Sequence, residues 1–159
     1  MGALYPLAYG IKFAEKAAGR DFGVPPLEAV WWADDPRAFT RGDRTAWRWR
    51  AMLRVPGNVN SADLDAARAA ARRKGKDGPL DSAHLTTFAE GDGLQCLHLG
   101  PHCDEAPVLA RLHDEVMPAE GLTFGGPHHE IYLSDPCRAA PPKLNTILRQ
   151  TVRPIAPPA

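Results

Sequence analysis

Residues 128–133 read His-His-Glu-Ile-Tyr-Leu and place one carboxylate inside a segment that otherwise has the composition of a β-strand. Alternation along a strand would put Glu130 and Tyr132 on one face, and His129 with Ile131 on the other. A carboxylate on a buried face is costly unless it meets a cation, a donor or a water molecule that it activates. Two interpretations stay open on this pattern: a buried base or binding group, and an ordinary solvent-facing glutamate.

All four tryptophans lie between positions 31 and 49, as the pairs Trp31-Trp32 and Trp47-x-Trp49. A hairpin between these two segments would bring the pairs together. Tryptophan has a large flat face that stacks on planar ligands and on cations. Trp31 and Trp32 must point to opposite faces of one strand, so one small core does not readily account for all four tryptophans. The pattern is therefore about equally compatible with a ligand-pocket wall and with a structural core.

A metal site is a second chemical hypothesis. The residues that could form it are Cys96, His98, His102 and Cys103, with His128 and His129 as possible additions. Their spacing lacks Cys-x-x-Cys and His-Glu-x-x-His, and strand alternation accounts for Cys96 and His98. We therefore predict no metal site and no cofactor. A nucleophile elbow, a phosphate loop and a dinucleotide fingerprint are also missing from the sequence.

The elements that would position these residues alternate between helical and strand periodicity. Apolar spacing and turn residues predict helices over about 4–18 and 104–116, and a third that follows Ser61 as its N-cap and ends near Arg72. Strands are predicted over 27–33, 46–55, 85–89, 94–99, 128–133 and 144–152, with 91–93 as the turn of a hairpin. Helix, strand, strand therefore occurs three times, which is typical of an α+β fold.

Composition limits the function classes. The 159 residues predict one domain over 1–153, followed by a Pro-rich tail over 154–159 that we expect to be disordered. The 19 basic and 19 acidic residues balance, and the arginines near 41–54 alternate as one solvated strand face, so nucleic acid is not an expected partner. No apolar run is long enough to span a bilayer, and no signal peptide opens the chain. Three cysteines without a disulfide pattern suggest the cytoplasm.

Several segments together resemble the GyrI-like small-molecule-binding domain. They are 27–35 (Leu-Glu-Ala-Val-Trp-Trp-Ala-Asp-Asp), 47–49, 97–101, 128–136 (His-His-Glu-Ile-Tyr-Leu-Ser-Asp-Pro) and the closing 140–150. The resemblance covers nearly the whole chain. It implies a duplicated β-α-β-β unit whose curved antiparallel sheet, with helices packed on one side, encloses a ligand pocket lined by a central acidic residue that matches Glu130.

Within that family, the Trp-Trp pair and the sequence around Glu130 resemble hydrolases that open the cyclopropane of DNA-alkylating antibiotics. The resemblance then implies a planar, apolar substrate between the four tryptophans, with Glu130 as a base whose pKa an apolar pocket raises. Tyr132, or alternatively Tyr9 or His98, would meet the charge that develops on the substrate oxygen. Phe124 completes the expected ligand contacts. The alternatives are a non-catalytic drug-binding protein and an effector domain that acts on a gyrase or a transcription regulator.

Three departures from the family pattern affect these expectations. The chain begins almost at its first helix, so we expect the first strand of the first repeat to be missing, and an uncovered sheet edge would favour a homodimer. Cys137 stands where relatives mostly carry arginine, and His102 stands where many carry tyrosine. We expect these two differences to change ligand preference more than fold.

Overall fold

A computed structural model describes residues 2–35, 37, 41 and 44–156. The chain divides into two compact units. The first comprises Met1–Pro25 and Met52–Phe88, and the second comprises Pro26–Ala51 and Ala89–Ala159. In the described part of the chain, no helix has the length and apolarity needed to cross a membrane.

The first unit is built from two helices, α1 (Leu4–Ala17) and α2 (Ser61–Arg73). The cap of α2 is Asn60 rather than the predicted Ser61. Its side chain accepts from the N–H groups of Ala62 and Asp63, and the Asp63 carboxylate accepts from the Asn60 N–H in return. This reciprocal pair satisfies donors that a helix N-terminus otherwise leaves free.

The core of this unit consists of small and branched apolar residues from both helices, the N-cap of α1 and the segment after α2: Ala3, Leu7, Ile11, Leu64, Ala67, Ala71 and Leu80. Gly10 lies where a Cβ would come within 3.1 Å of the Ala67 Cβ, so small residues at both positions let the helices approach closely. A buried Glu15 is paired with Arg20 at 2.8 Å and accepts from the Asn58 amide at 2.9 Å.

The second unit contains a five-stranded sheet. Its strands are β1 (Leu27–Trp32), β2 (Arg48–Met52), β3 (Gly93–Leu99), β4 (Leu122–Tyr132) and β5 (Asn145–Pro154). Their order is β2-β1-β4-β5-β3, and the sheet is an open antiparallel one that confirms the predicted α+β class. Strands β2 and β3 are its edges among the described residues.

The helical segment of this unit is interrupted. It runs as α3 (Ala106–Arg111), a π-helical turn (Leu112–Val116) and α4 (Met117–Ala119), where the sequence predicted one regular helix over 104–116. Pro118 lies in the first turn of α4, and its ring excludes an ordinary i−4 hydrogen bond there. π-turns of this kind are frequent at functional sites.

Other predictions were wrong in extent. Residues 85–89 form no strand, so the predicted hairpin with β3 is absent and β3 pairs with β5 instead. Strand β4 begins at Leu122, six residues before the predicted start, and a register shift between Phe124 and His128 absorbs the Gly-Gly-Pro sequence. Strand β5 continues through Pro154, while residues 157–159 of the predicted tail lie outside the described residues.

Candidate functional site

The strand registers sort the side chains of the second unit onto two faces of the sheet. Glu130 aligns with Ala29 of β1 and Leu148 of β5, and Leu148 aligns with Cys96 of β3. We call this side the Glu130 face. It also carries His128, Tyr132, Trp31, His98, Thr146 and Gln150, all by register and alternation. Several of these side chains are polar and nevertheless buried, which is typical of a functional site rather than of an apolar core.

Glu130 points into this face and is largely removed from solvent, with 12% of its side chain exposed. The Tyr132 hydroxyl donates to its Oε2 at 2.6 Å, and the His128 Nε2 lies 3.6 Å from its Oε1. The sequence alone left an inward and an outward Glu130 open, and the low exposure of its side chain shows the inward orientation.

Tyr132 is held on both sides of its hydroxyl. Its hydroxyl donates a hydrogen bond to Glu130, and its oxygen accepts one from the Trp31 Nε1 at 3.3 Å. Burial and the negative charge of Glu130 raise the pKa of Tyr132 far above its ordinary value, so the phenol keeps its proton at any physiological pH. The hydroxyl is therefore directed at the carboxylate.

Three of the four tryptophans form a group in which Trp47 and Trp49 lie around Trp31. The Trp47 ring meets it edge-on at 5.8 Å between centroids, and the Trp49 ring lies at 6.0 Å with a tilt of 38°. Trp49 remains 52% exposed although it is a large apolar side chain. Trp32 follows Trp31 along β1 and therefore points to the opposite face, away from Glu130.

A second acidic residue lies next to this centre, and sequence reasoning missed it. Glu105 is 6% exposed, and its Oε1 is 3.0 Å from the Nδ1 of His102. The His102 ring meets the Tyr132 ring edge-on, with centroids 5.4 Å apart and an interplanar angle of 85°. The His-x-x-Glu spacing of 102–105 could have indicated the pair, but only the fold brings it to Tyr132.

The two carboxyl groups differ in their electrostatic environment. Burial raises the pKa of Glu130, but His128, Tyr132 and His102 together outweigh it and hold the pKa below its ordinary value. Burial also raises the pKa of Glu105, and the charge on Glu130 raises it further. The expected raised pKa of Glu130 is therefore wrong, because partners dominate over burial. Environments that separate two carboxyl groups in this way are typical of acid–base sites.

At the other end of the Glu130 face, the π-turn packs against β4. Its His113 is 5% exposed and meets the Phe124 ring edge-on at 4.9 Å. The rings of His113 and His128 are 6.4 Å apart. Burial and the neighbouring His128 lower the pKa of His113 to about 4, so this imidazole is neutral at physiological pH. Phe124 thus packs against an imidazole that carries no charge.

The remaining predicted residues lie elsewhere or are already engaged. His98 is on the Glu130 face but is 5% exposed, and its Nε2 is 3.1 Å from the carbonyl oxygen of Pro101. Tyr9 belongs to the first unit, where it is 45% exposed on α1 and stacks between Tyr5 and Phe13. No disulfide joins Cys96, Cys103 and Cys137, and no group of three metal-ligating side chains is placed to hold an ion within the described ranges.

The opposite face carries a separate buried ion cluster. His129, 2% exposed, lies between Glu28 at 3.1 Å from its Nε2 and Glu90 at 3.0 Å from its Nδ1. Arg149 adds a second cation 3.0 Å from Glu90. Burial lowers the pKa of His129, but hydrogen bonds to the two carboxylates outweigh it and raise the pKa above its ordinary value. The cluster joins β1, β4, β5 and the segment before β3.

An open antiparallel sheet with a largely buried acidic centre and an aromatic wall is typical of a small-molecule-binding α+β domain. Residues 12–150 match the family model of the GyrI-like small molecule binding domain, and the chain belongs to that family.

Solved structures from Listeria innocua are similar to it over 95% of its length. An uncharacterized conserved protein is 39% identical with a TM-score of 0.83, and the match covers 77% of that chain. A protein described as a hydrolase is 37% identical with a TM-score of 0.79, covering 76% of that chain. A further structure described as a hydrolase is 36% identical, with a TM-score of 0.78 and 77% coverage. No curated protein matches the chain.

Proposed function

We propose that this protein binds planar, apolar small molecules and hydrolyses an electrophilic cyclopropane of the kind carried by DNA-alkylating antibiotics. The observation that supports this most strongly is Glu130, an inward carboxylate with 12% side-chain exposure that a phenol and an imidazole hold in place. The hydrolases among the similar structures support an enzymatic function of the fold. The protein would act in detoxification or self-resistance.

The chemistry requires a base that activates water. A cyclopropane fused at a cyclohexadienone opens when a nucleophile attacks its carbon, and the ring becomes an aromatic phenol. Water is a poor nucleophile until a base removes its proton, and a positioned carboxylate contributes about 10²–10⁴-fold to such a step. Glu130 is ionised at neutral pH because its partners lower its pKa, so it is available as that base without prior deprotonation.

Tyr132 has a positioning role in this proposal. Its hydroxyl fixes Oε2 of Glu130 at 2.6 Å, so Oε1, which lies 3.6 Å from the His128 Nε2, is the oxygen that would accept the proton of the water molecule. A carboxylate held in one rotamer loses less entropy when it forms the transition state. The predicted role of Tyr132 as a donor to the substrate is thereby replaced by a role in orienting the base.

The tryptophans provide the apolar wall of the proposed pocket. Trp31, Trp47 and Trp49 form a continuous aromatic surface beside Tyr132, and half of Trp49 is exposed. Flat ligands stack on such surfaces and displace water from the base. We propose these three residues as ligand contacts, with Phe124 at the far end and without Trp32, which faces away.

The test uses the unsubstituted spirocyclopropyl cyclohexadienone, whose water adduct is a para-(hydroxyethyl)phenol. Adduct formation is followed by liquid chromatography and mass spectrometry, with the uncatalysed reaction subtracted. Glu130→Gln keeps the size of the side chain and should lower kcat by about 10²–10⁴-fold. Glu120→Gln, at an exposed glutamate of the same unit, is the matched control and should turn over like the wild type.

A specific observation favours a second candidate, a protein that only sequesters its ligand. The exposed Trp49 and its neighbours could hold a planar drug whether or not water is activated. In that case the compound would quench tryptophan fluorescence and be recovered unchanged, and Glu130→Gln would alter affinity alone. Binding without adduct for wild-type protein would replace the hydrolase proposal with this one.

A further inference from the structure

A water-adding enzyme of this kind needs a proton donor as well as a base. When the cyclopropane bond breaks, its electron pair passes through the ring to the carbonyl oxygen, which becomes a phenolate oxygen. A donor directed at that oxygen stabilises charge that exists only in the transition state. The donor must lie away from Glu130, because the reacting carbon and the oxygen are at opposite ends of a six-membered ring.

The residues that the sequence favoured for this role are already committed. The single proton of Tyr132 points to Glu130, and its oxygen accepts from Trp31. His98 is buried, and its Nε2 contacts the Pro101 carbonyl. Neither side chain has a proton directed at a ligand.

The geometry points to His102 as the donor and to Glu105 as the residue that positions it, an inference that rests on the proposed hydrolase function. The Glu105 carboxyl group binds Nδ1 of His102 at 3.0 Å and is itself only 8% exposed. The Thr146 hydroxyl is 3.5 Å from the same nitrogen. Nδ1 is therefore turned into the protein, and Nε2 is the nitrogen left for a ligand.

Exposure and neighbours agree with this assignment. The side chain of His102 is 41% exposed, whereas Glu105 behind it is buried. The same ring packs edge-on against Tyr132, which binds Glu130, so base and donor flank one aromatic side chain. A buried carboxylate behind a half-exposed imidazole is the arrangement that fixes the tautomer and ring orientation of a catalytic histidine.

The proposed step balances without a cofactor. Glu130 takes one proton from water while the water oxygen forms a bond to the cyclopropane carbon and the ring carbon–carbon bond breaks. His102 gives its Nε2 proton to the former carbonyl oxygen, and the product is a neutral phenol with a hydroxyalkyl arm. The proton on Glu130 then returns to His102 through solvent, so the net reaction consumes one water molecule.

The test compares two substrates that differ in how much they need a proton donor. One is the unsubstituted spirocyclopropyl cyclohexadienone, and the other carries fluorine on both carbons beside the carbonyl. The fluorinated product is a more acidic phenol. The negative charge that develops on its oxygen is therefore stable without a proton, and the reaction depends less on a donor. His102→Phe preserves a ring against Tyr132 and removes both nitrogens.

We expect His102→Phe to lower kcat on the unsubstituted dienone by about 10²-fold, and by less than about tenfold on the fluorinated one. Glu105→Gln should lower kcat by less, again mainly on the unsubstituted dienone, and should change KM little, because Glu105 acts by positioning His102. His84→Phe, at an exposed histidine of the other unit, is the control and should match the wild type. Urea denaturation of each variant shows that it is folded.

Each outcome decides a different statement. Equal losses on both substrates for His102→Phe would overturn the donor role, while a Glu130→Gln loss in the same assay would leave the hydrolase function standing. Selective recovery on the fluorinated substrate supports the donor role. Absence of turnover by wild-type protein on both dienones would overturn the hydrolase function, and the donor assignment with it.

Discussion

The neutral state of His113 makes the stability of this protein sensitive to mild acid. The imidazole is 5% exposed, lies against Phe124 and faces His128, and its pKa is lowered from 6.5 to about 4. In the unfolded chain it regains its ordinary pKa. Between these two values the unfolded state binds more protons than the native state, so acid favours unfolding.

The size of the effect follows from the two pKa values. A tenfold change in proton affinity corresponds to about 1.4 kcal/mol, so lowering the pKa from 6.5 to about 4 amounts to about 3 kcal/mol when the protonation difference is complete. Between about pH 7 and pH 5 the loss should be about 2 kcal/mol. With a urea slope of about 1–3 kcal/mol per molar, the midpoint moves by about 1 M.

The assay is urea denaturation of wild-type protein, His113→Gln and His84→Gln at several pH values from about 7 to 5. The His113 variant starts from lower stability because it disturbs a packed site. Its free energy of unfolding should nevertheless fall with acid by about 2 kcal/mol less than that of the wild type. The exposed His84 is the control and should leave the slope unchanged. Parallel pH dependence of wild type and His113→Gln would refute the reasoning.

Further predictions follow from other contacts of the second unit. Tyr132→Phe removes a hydrogen bond that lowers the pKa of Glu130, so the acidic limb of the pH profile of kcat/KM should move to higher pH; an unmoved limb would contradict it. Gly125→Ala would place a Cβ 2.6 Å from the Val152 carbonyl and should cost about 1–3 kcal/mol in urea denaturation; an unchanged midpoint would speak against this packing. Because the pKa of His129 is raised in the folded state, its contribution to stability is fully present below about pH 6.5 and is lost as the pH rises through the folded-state pKa. His129→Gln should therefore lower the free energy of unfolding by about 3–5 kcal/mol near pH 6 and by less near pH 9. A gap that widens at high pH would show the opposite linkage.

Local periodicity was sufficient for the elements on which the site is built. The alternation around Glu130 and Tyr132 placed both residues on one face, and the structure joins them by a hydrogen bond. The apolar run of β1 likewise predicted its extent to within one residue. These features depend on period two and on turn residues, which the sequence carries locally.

The parts that the sequence did not predict depend on contacts between distant segments. Glu105 is acidic and precedes a helix, which reads as an exposed first turn, yet tertiary packing buries it behind His102. Gly125 and Gly126 lie within β4, which the sequence predicted to begin only at His128, and the β5 backbone approaches too closely for a side chain at Gly125. Neither property is encoded within a window of a few residues.

The direction in which the Glu130 pKa moves illustrates the same limit. An apolar pocket alone would raise it, and the resemblance to the family implied such a raised pKa. The fold instead supplies His128 and Tyr132 as close partners, whose effects exceed that of burial. The raised carboxyl pKa belongs to Glu105, which periodicity had not singled out.

The most direct test of the central claim is oxygen incorporation from labelled water. The spirocyclopropyl cyclohexadienone is incubated in ¹⁸O-water with wild-type protein, Glu130→Gln and Glu120→Gln, and the hydroxyethyl product is analysed by mass spectrometry. Water activation by Glu130 predicts rapid, catalytic formation of product with ¹⁸O in its alcohol, lost in Glu130→Gln and retained in Glu120→Gln. Labelled product at the same rate with Glu130→Gln, or no formation above the uncatalysed rate with wild-type protein, would contradict it.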